Sequence, residues 1–433
     1  MTVLGVLVVS ACGASPDFAV DALSAEREVV AAVSTTPPPS PTPVPPTPRP
    51  TPTPMPPPTP TPEPVFAIDP DLLEKLPDQW SPFVVTDHLA ASSQPPPGGT
   101  LSPVGQQGNR WKYTGVLGRL KPGDEVLPAV ADAPPKVAGV APLTGLAGPA
   151  LDRPALIVKI DNVPAARPQI GINEADIVYE ELVEAGVTRL AAVFHSQAPA
   201  TIGPVRSGRS TDIGIVDSLS RPIFAFSGAN SIYDKLIDKQ PIENRSAEVF
   251  SGYWRSGSRA APHNLYTGAD TMLGSVDDGE APAPHFVYRA PGDDLAPEAE
   301  TASSIRLKYA ADSGRSIEFE WNETERGWQR WQAGSRHVDA NGVQFAPENV
   351  IVQFVNYIDT GMTDKWGEVL YEGVSVGSGP ALVFTEGHVI EAIWTRPSLR
   401  SVTTFTDQAG NHIALTAGQT FVSLIAPNGA SWS

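Results

Sequence analysis

Cysteine is almost absent from this sequence: Cys12 is the single one in 433 residues. One thiol cannot form a disulfide within the chain. After Cys12 the sequence also offers no thiolate to bind zinc and no cysteine to act as a nucleophile. Core packing must therefore hold the folded part together.

Positive charge is also scarce. The chain has 30 lysines and arginines against 48 aspartates and glutamates, a formal net charge of -18. Binding to nucleic acid without sequence preference needs clustered, surplus cations that neutralise phosphates. We therefore expect no nucleic-acid partner.

Long apolar runs and common cofactor motifs are missing too. No stretch reaches the roughly 18 apolar residues of a membrane span. The chain has no P-loop, G-x-G-x-x-G or H-E-x-x-H pattern, and its 7 histidines are widely spread. We therefore expect no metal site and no cofactor.

The N-terminus carries a targeting pattern. The apolar run VLGVLVVSAC ends at Cys12 and resembles a bacterial lipoprotein signal, with Val9-Ser10-Ala11-Cys12 as the lipobox. We therefore expect a signal over residues 1–12, lipidation of Cys12 and anchoring at the outer face of the cytoplasmic membrane. The alternatives are a trimmed secretory signal and a buried N-terminal strand. Because no lysine or arginine precedes the run, we also expect the true start codon to lie upstream.

Residues 13–64 are predicted to form a disordered tether. Within this segment, 37–64 hold 17 prolines in 28 positions. Proline fixes φ and lacks an N–H, which favours extended polyproline II backbone. At about 3.1 Å per residue the proline segment would span roughly 85–90 Å. The alternative is a proline-rich ligand for a recognition domain.

The rest of the chain changes in character twice. Residues 65–139 are typical of a partly ordered leader. In 140–290, β-branched and aromatic runs alternate with helical spacing at 209–219 and 229–239, which predicts a mixed α/β domain. Residues 303–433 are almost entirely strand-like, with hairpin turn signals that predict a mainly antiparallel β domain. The predicted fold class is therefore α+β.

Several blocks of this part resemble the YerB-like bacterial lipoprotein family, whose two adjoining parts are classed as domain of unknown function 3048. The blocks are APLTGL (141–146), KIDNVPAARPQIGINEADIVYEELVEAGVTRLAAVFHS (159–196), IGPVRSGRSTDI (202–213), APHNLY (261–266), GSGPALVFTEGHVIEAIWTR (377–396) and TAGQTFVSLI (416–425). The resemblance covers about 140–430 and implies a two-domain envelope lipoprotein, with no activity attached. The tether here is longer and richer in proline than is usual for that family.

Arg206 and Arg209 lie just before a predicted helix that begins near Ser210. A helix N-terminus favours an anion, because its first N–H groups are unpaired and its dipole is positive there. We predict a phosphate or carboxylate pocket at Arg206, Arg209 and Asp212. The alternative is that both arginines pair with the protein's own acids.

A predicted hairpin carries a second polar group. With a two-residue turn at 185–186, Glu180, Arg189 and His195 share one face of the sheet, an arrangement that suits acid–base chemistry. A three-residue turn would instead place Arg189 opposite Glu181. The sequence leaves both registers open, and an ordinary solvated sheet face is a further alternative.

Two loops add candidate ligand contacts. Asp161, Asn162 and Arg167 follow a predicted strand, at the kind of strand end where α/β sheets place their sites. His263 and Asn264 lie on a predicted turn. Loops on a rigid scaffold often carry function, although these residue types are also common in ordinary turns.

The expected function is that of a non-enzymatic envelope lipoprotein that binds a wall polymer or a wall-synthesis protein. A strand led by Thr-Arg and a following Pro-Val-Arg-Ser turn resemble the arginine pocket of LytR-CpsA-Psr phosphotransferases. An anion-pocket enzyme of that kind is therefore the alternative, and a glycan or peptide hydrolase is a third candidate.

Overall fold

The structure, a computed structural model, describes residues 132–149, 151–277, 279–309, 316–364 and 367–433. The predicted signal, the tether and the leader up to residue 131 lie outside these ranges. Of the described residues, 39% are in strands and 9% are helical, so the fold is mainly β. The α+β prediction therefore overstates the helix content.

Helices are few and short. The α-helices are α1 Ser210–Asp217, α2 Ser231–Ile237 and α3 Ala269–Leu273, and single 3₁₀ turns occupy Pro164–Ala166 and Ile172–Glu174. The helical spacing at 209–219 and 229–239 therefore predicted α1 and α2 at the right places.

Strands make up most of the chain. In chain order they are β1 Leu156–Asp161, β2 Ile177–Leu182, β3 Thr188–Phe194, β4 Ile223–Ala225, β5 Glu243–Asn244, β6 Tyr253–Arg255, β7 Leu265–Thr267, β8 Val287–Tyr288, β9 Glu300–Thr301, β10 Ser304–Leu307, β11 Ile317–Asn322, β12 Gly327–Gln332, β13 Ser335–Arg336, β14 Asn349–Phe354, β15 Tyr357–Thr363, β16 Val369–Gly373, β17 Gly377–Thr385, β18 His388–Arg396, β19 Thr404–Thr406, β20 Ala414–Leu415, β21 Thr420–Ile425 and β22 Ala430–Trp432.

One large sheet runs through the protein in the order β19-β18-β17-β14-β21-β2-β3-β1-β4-β5, with β9 paired to β18. Strand β21 lies at the middle of this sheet, parallel to both β14 and β2. The predicted segments 140–290 and 303–433 therefore contribute strands to the same sheet. Strands β1, β3 and β21 are buried along their whole length, because both faces of the sheet are covered.

Each face of the large sheet packs against a different layer. The first core lies between the sheet, helices α1 and α2, and the β15–β16 hairpin. The second core lies between the sheet and a five-stranded sheet of order β13-β12-β11-β10-β22, with α3 beside it. Since side chains alternate along a strand, neighbours in sequence enter opposite cores.

A small extension continues the large sheet beyond the end of β1. Ile160 pairs with Val205, Ile202 pairs with Thr267 of β7, and β7 pairs with β6. This ribbon carries the His263 turn towards the end of β1. Among the described residues, no helix is long and apolar enough to cross a bilayer.

Candidate functional site

The hairpin register decides which polar side chains meet. Glu181 pairs with Arg189, and Asp161 pairs with Arg189 from the other side. The turn spans three residues, with Gly186 in the left-handed region at a φ of 68°. The structure therefore contains the three-residue turn, the second of the two registers that the sequence leaves open. Glu180 points to the opposite face from Arg189, so the cluster predicted for a two-residue turn does not form.

Glu184, at the start of this turn, holds two of the predicted arginines. Its carboxylate lies 2.7 Å from Nη2 of Arg189 and 2.8 Å from Nη2 of Arg209. Burial alone would raise the pKa of Glu184, but the two guanidinium groups outweigh it and the pKa is lowered. Arg209 is therefore engaged mainly inside the protein.

The N-terminus of α1 is also occupied by a side chain of the protein. Asp212 accepts a hydrogen bond from the backbone N–H of Arg209 at 2.7 Å and lies 2.6 Å from Nζ of Lys159. Lys159 also contacts Glu181, and all three side chains of this ion triad are fully buried. Burial and the nearby Asp212 raise the pKa of Glu181 to about 7, although Lys159 opposes this. The anion predicted at the helix mouth is thus supplied by Asp212.

Asp161 connects the sheet to the His263 turn. Its Oδ2 lies 2.7 Å from Nδ1 of His263 and 3.2 Å from Nε of Arg206. Asp161 is buried, whereas the side chains of His263 and Arg206 remain 23% and 20% exposed. The carboxylate therefore fixes the imidazole and the guanidinium side by side at the protein surface.

These contacts define a strand-end cluster, in which four cations of lysine and arginine alternate with four carboxylates around the ends of β1, β2 and β3. Its members are Lys159, Asp161, Glu181, Glu184, Arg189, Arg206, Arg209, Asp212 and His263.

Glu180 belongs to a separate network on the opposite face. It accepts from Nη2 of Arg330 at 3.0 Å, from Nδ2 of Asn162 at 3.0 Å and from the hydroxyl of Thr188 at 2.6 Å. Glu180 and Arg330 are both fully buried. This network ties β2 to β12 of the five-stranded sheet, and we assign it a structural role.

A chain of hydrogen bonds extends this network. Nη1 of Arg330 lies 2.5 Å from Nδ1 of His337, whose Nε2 lies 2.8 Å from Oε1 of Gln169. Gln169 in turn donates to Oδ1 of Asn162 at 3.2 Å. Arg167, beside this network, has its pKa lowered by burial and by the charge of Arg330.

Of the two remaining predicted residues, His195 lies away from the strand-end cluster, and Asn264 follows His263 in the chain but bonds to other groups. His195 is buried at the far end of β3, where burial and the charge of Arg153 lower its pKa to about 4. Asn264 donates to the carbonyls of Ser256 and Arg259 and pins the turn before β7.

Residues 373–377 read GVSVG, the G-x-S-x-G spacing of a serine nucleophile elbow. Such an elbow needs a sharp turn from a strand into a helix, but Ser375 lies between strands β16 and β17. Its hydroxyl accepts from Nη1 of Arg396 at 3.3 Å.

In the described part of the chain, no three histidine, cysteine or acidic side chains are arranged to hold a metal ion.

Comparison with known proteins places the chain in a family. Residues 143–281 match the family described as "Protein of unknown function (DUF3048) N-terminal domain", and residues 305–422 match its C-terminal domain. Together these matches cover more than half of the chain. The protein belongs to the DUF3048 family, which confirms the resemblance predicted from the sequence.

One relative, matched both by its sequence and by its crystal structure, agrees with this assignment. The protein named "Putative lipoprotein YerB" of Bacillus subtilis (strain 168) is 28% identical over 296 residues, which are 66% of this chain and 86% of the relative. The crystal structure of YerB from Bacillus subtilis matches with a TM-score of 0.59 and 25% identity, over 68% of this chain and 99% of that one. Neither description names an activity.

Proposed function

We propose that this protein is a lipid-anchored component of the bacterial envelope that binds an anionic envelope polymer through the strand-end cluster. Lipidation of Cys12, the proline-rich tether and a position at the outer face of the cytoplasmic membrane are parts of this proposal. They are supported by the VSAC sequence and by the similarity to a relative described as a lipoprotein.

The observation that carries the binding proposal is that the guanidinium of Arg189 is only partly paired, since Glu184 meets its Nη2 alone. Arg189 is 4% exposed, yet its Nε and Nη1 have no acceptor among the described residues. Burial, followed by the nearby charge of Arg209, lowers the pKa of Arg189 to about 10. A buried donor left without an acceptor costs about 1–3 kcal/mol, and more when the group is charged. An acceptor from outside the chain would remove this penalty.

Arg206 offers the route by which such an acceptor could arrive. Its Nε faces Asp161 at 3.2 Å, and its side chain is 20% exposed. Among the described residues nothing accepts a hydrogen bond from the terminal nitrogens of Arg206. Phosphate and carboxylate groups fit guanidinium donors in charge and shape, so a phosphate- or carboxylate-bearing polymer is the ligand class that we propose.

Titration calorimetry with inorganic phosphate tests the proposal. We expect measurable binding to the wild-type protein and a loss of at least tenfold in affinity for Arg206→Ala, since a charge-assisted hydrogen bond is worth about 1.5–3 kcal/mol. Arg221→Ala is the matched control, because Arg221 is half exposed and pairs with Glu243 away from the cluster. No phosphate binding by the wild type would contradict the proposal, and equal binding by both variants would show that phosphate binds away from the strand-end cluster.

The anchoring part of the proposal has its own test. Wild-type protein should fractionate with the cytoplasmic membrane and incorporate labelled lipid, whereas Cys12→Ser should do neither. If Cys12→Ser remained membrane-bound, the proposed lipid anchor would be wrong.

Recovery of a membrane protein with the wild type, together with no phosphate binding, would favour a protein partner over a polymer.

A further inference from the structure

We propose that the ligand of the strand-end cluster is a glycosyl phosphate, and that its sugar ring stacks on Trp254. This inference rests on the proposed phosphate-binding function and adds a second subsite to it. The β6–β7 ribbon joins the end of β1 through residues 202–205.

Strand pairing fixes the side of the ribbon on which Trp254 lies. Tyr253, Thr267 and Ile202 occupy one cross-strand row. Ile202 is part of the second core, and Tyr253 packs against it. Trp254 is the next residue along β6, so its side chain points to the opposite side, away from the second core.

Arg206 and Asp161 point to that same side. Ile160 and Val205 pair with each other and both enter the second core. Their neighbours Asp161 and Arg206 are therefore directed away from it, as their contact with each other requires. The indole of Trp254 and the guanidinium of Arg206 thus share one face of the extended sheet.

The spacing suits a small phosphorylated sugar. The strand of Trp254 lies two strand positions from the segment that leads into Arg206, or about 10 Å across the sheet. The offset along the strands is about three residues, again about 10 Å. His263 precedes β7 and contacts Asp161, so it lies between the two ends of the proposed site. A ring over Trp254 would place its phosphate towards His263 and Arg206.

The turn that joins β6 to β7 is firmly held. Arg255 donates to Oδ1 of Asn264 at 2.8 Å. Arg259 donates to the carbonyls of Ala166 and Pro168, both at 2.6 Å, in the loop that follows Asp161. These contacts fix Trp254 relative to the cluster and reduce the ordering cost of binding.

Trp254 itself is left open to solvent. It is 43% exposed, and no described residue forms a hydrogen bond or ring contact with it. An indole offers a flat apolar face and one N–H donor, which match the C–H face and the hydroxyl rim of a pyranose ring. The phosphate would meet Arg206, so the two subsites recognise different parts of one ligand.

Calorimetry on the full chain tests this inference, with N-acetylglucosamine 1-phosphate and glycerol 3-phosphate as probes. Both probes carry a phosphomonoester, but only the first carries a sugar ring. We expect wild-type protein to bind the sugar phosphate about tenfold more tightly than glycerol 3-phosphate. Trp254→Ala should abolish that difference and leave glycerol 3-phosphate binding unchanged, while Trp254→Phe should keep part of it.

The outcomes separate this inference from the function on which it rests. If both probes bind wild type equally and Trp254→Ala changes neither affinity, the stacking subsite is wrong while phosphate binding stands. If neither probe binds wild type, the proposed function fails and the subsite fails with it. Trp254 is exposed on an edge strand, so an unchanged thermal midpoint for Trp254→Ala confirms that the variant is folded.

Discussion

Glu180 and Glu181 are neighbours in the chain, yet their carboxylates enter opposite cores and end on different buried cations. Glu180 meets Arg330 of the five-stranded sheet, whereas Glu181 meets Lys159 of β1 in the large sheet. Both carboxylates are fully buried. This pair of adjacent acids therefore fixes which face of β2 belongs to which layer.

The Glu180–Arg330 pair should be strongly coupled. Arg330→Met leaves the buried Glu180 carboxylate without its cation, and Glu180→Leu leaves the buried Arg330 guanidinium without its anion. Each single change should therefore lower the free energy of unfolding by about 3–5 kcal/mol. The double variant should recover much of the loss, because no uncompensated charge remains. Urea denaturation of all four proteins measures this cycle, and additive losses would contradict it.

Glu184 should be essential for stability, because it neutralises two buried arginines at once. We expect Glu184→Ala to lower the free energy of unfolding by about 3 kcal/mol. Glu318→Ala is the matched control, since Glu318 pairs with Arg306 at the surface and should change stability by less than about 1 kcal/mol. If denaturant titrations showed equal effects for the two substitutions, the Glu184 ion pairs would contribute no more to stability than an exposed ion pair does.

The raised pKa of Glu181 predicts a particular dependence of stability on pH. The carboxyl has a pKa of about 7 in the folded protein against an ordinary 4.5. Between these values the folded state binds the extra proton, so this group makes stability fall as pH rises through that window. Urea titrations should show that the free energy of unfolding falls more between pH 5 and pH 8 for wild type than for Glu181→Gln. An identical fall in both proteins would refute the raised pKa of Glu181.

His285 should stay neutral in mildly acidic solution. It is fully buried, lies 3.3 Å from the Ser218 hydroxyl, and burial lowers its pKa to about 4 from the ordinary 6.5. As pH falls below 6.5, the imidazole is protonated in the unfolded chain but stays neutral in the folded protein. This group therefore lowers the free energy of unfolding as the solution becomes more acidic. Its NMR ring signals should not shift between pH 8 and pH 5.5, whereas those of the urea-unfolded chain should.

Local patterns predicted much of the sheet. The β-branched and aromatic runs at 155–160, 176–183 and 188–196 predict strands, and the structure has β1, β2 and β3 there with bounds that differ by at most two residues. Helices α1 and α2 followed from apolar spacing. The predicted α+β class overstated the helix content, because these two helices span only 8 and 7 residues and the rest of the chain is mainly strand.

The site was harder to predict, because its contacts join distant parts of the chain. Asp161 and His263 are 102 residues apart, and Lys159 and Asp212 are 53 apart. Lys159 was missed altogether, although a lysine inside the buried run LIVKID was a usable signal, since such a charge must find a partner. The sequence indicates Glu181 only as a register position, because its partner Lys159 belongs to another strand.

The central place of β21 has a consequence for how the protein matures. This strand occupies residues 420–425 of 433 and forms hydrogen bonds with β2 on one side and β14 on the other. Since β21 follows both of these strands in the chain, a polypeptide that emerges N-terminus first leaves one edge of β2 and one edge of β14 unpaired until β21 has followed. Exposed edges of this kind pair readily with other chains, so a nascent copy is prone to aggregation until β21 is in place.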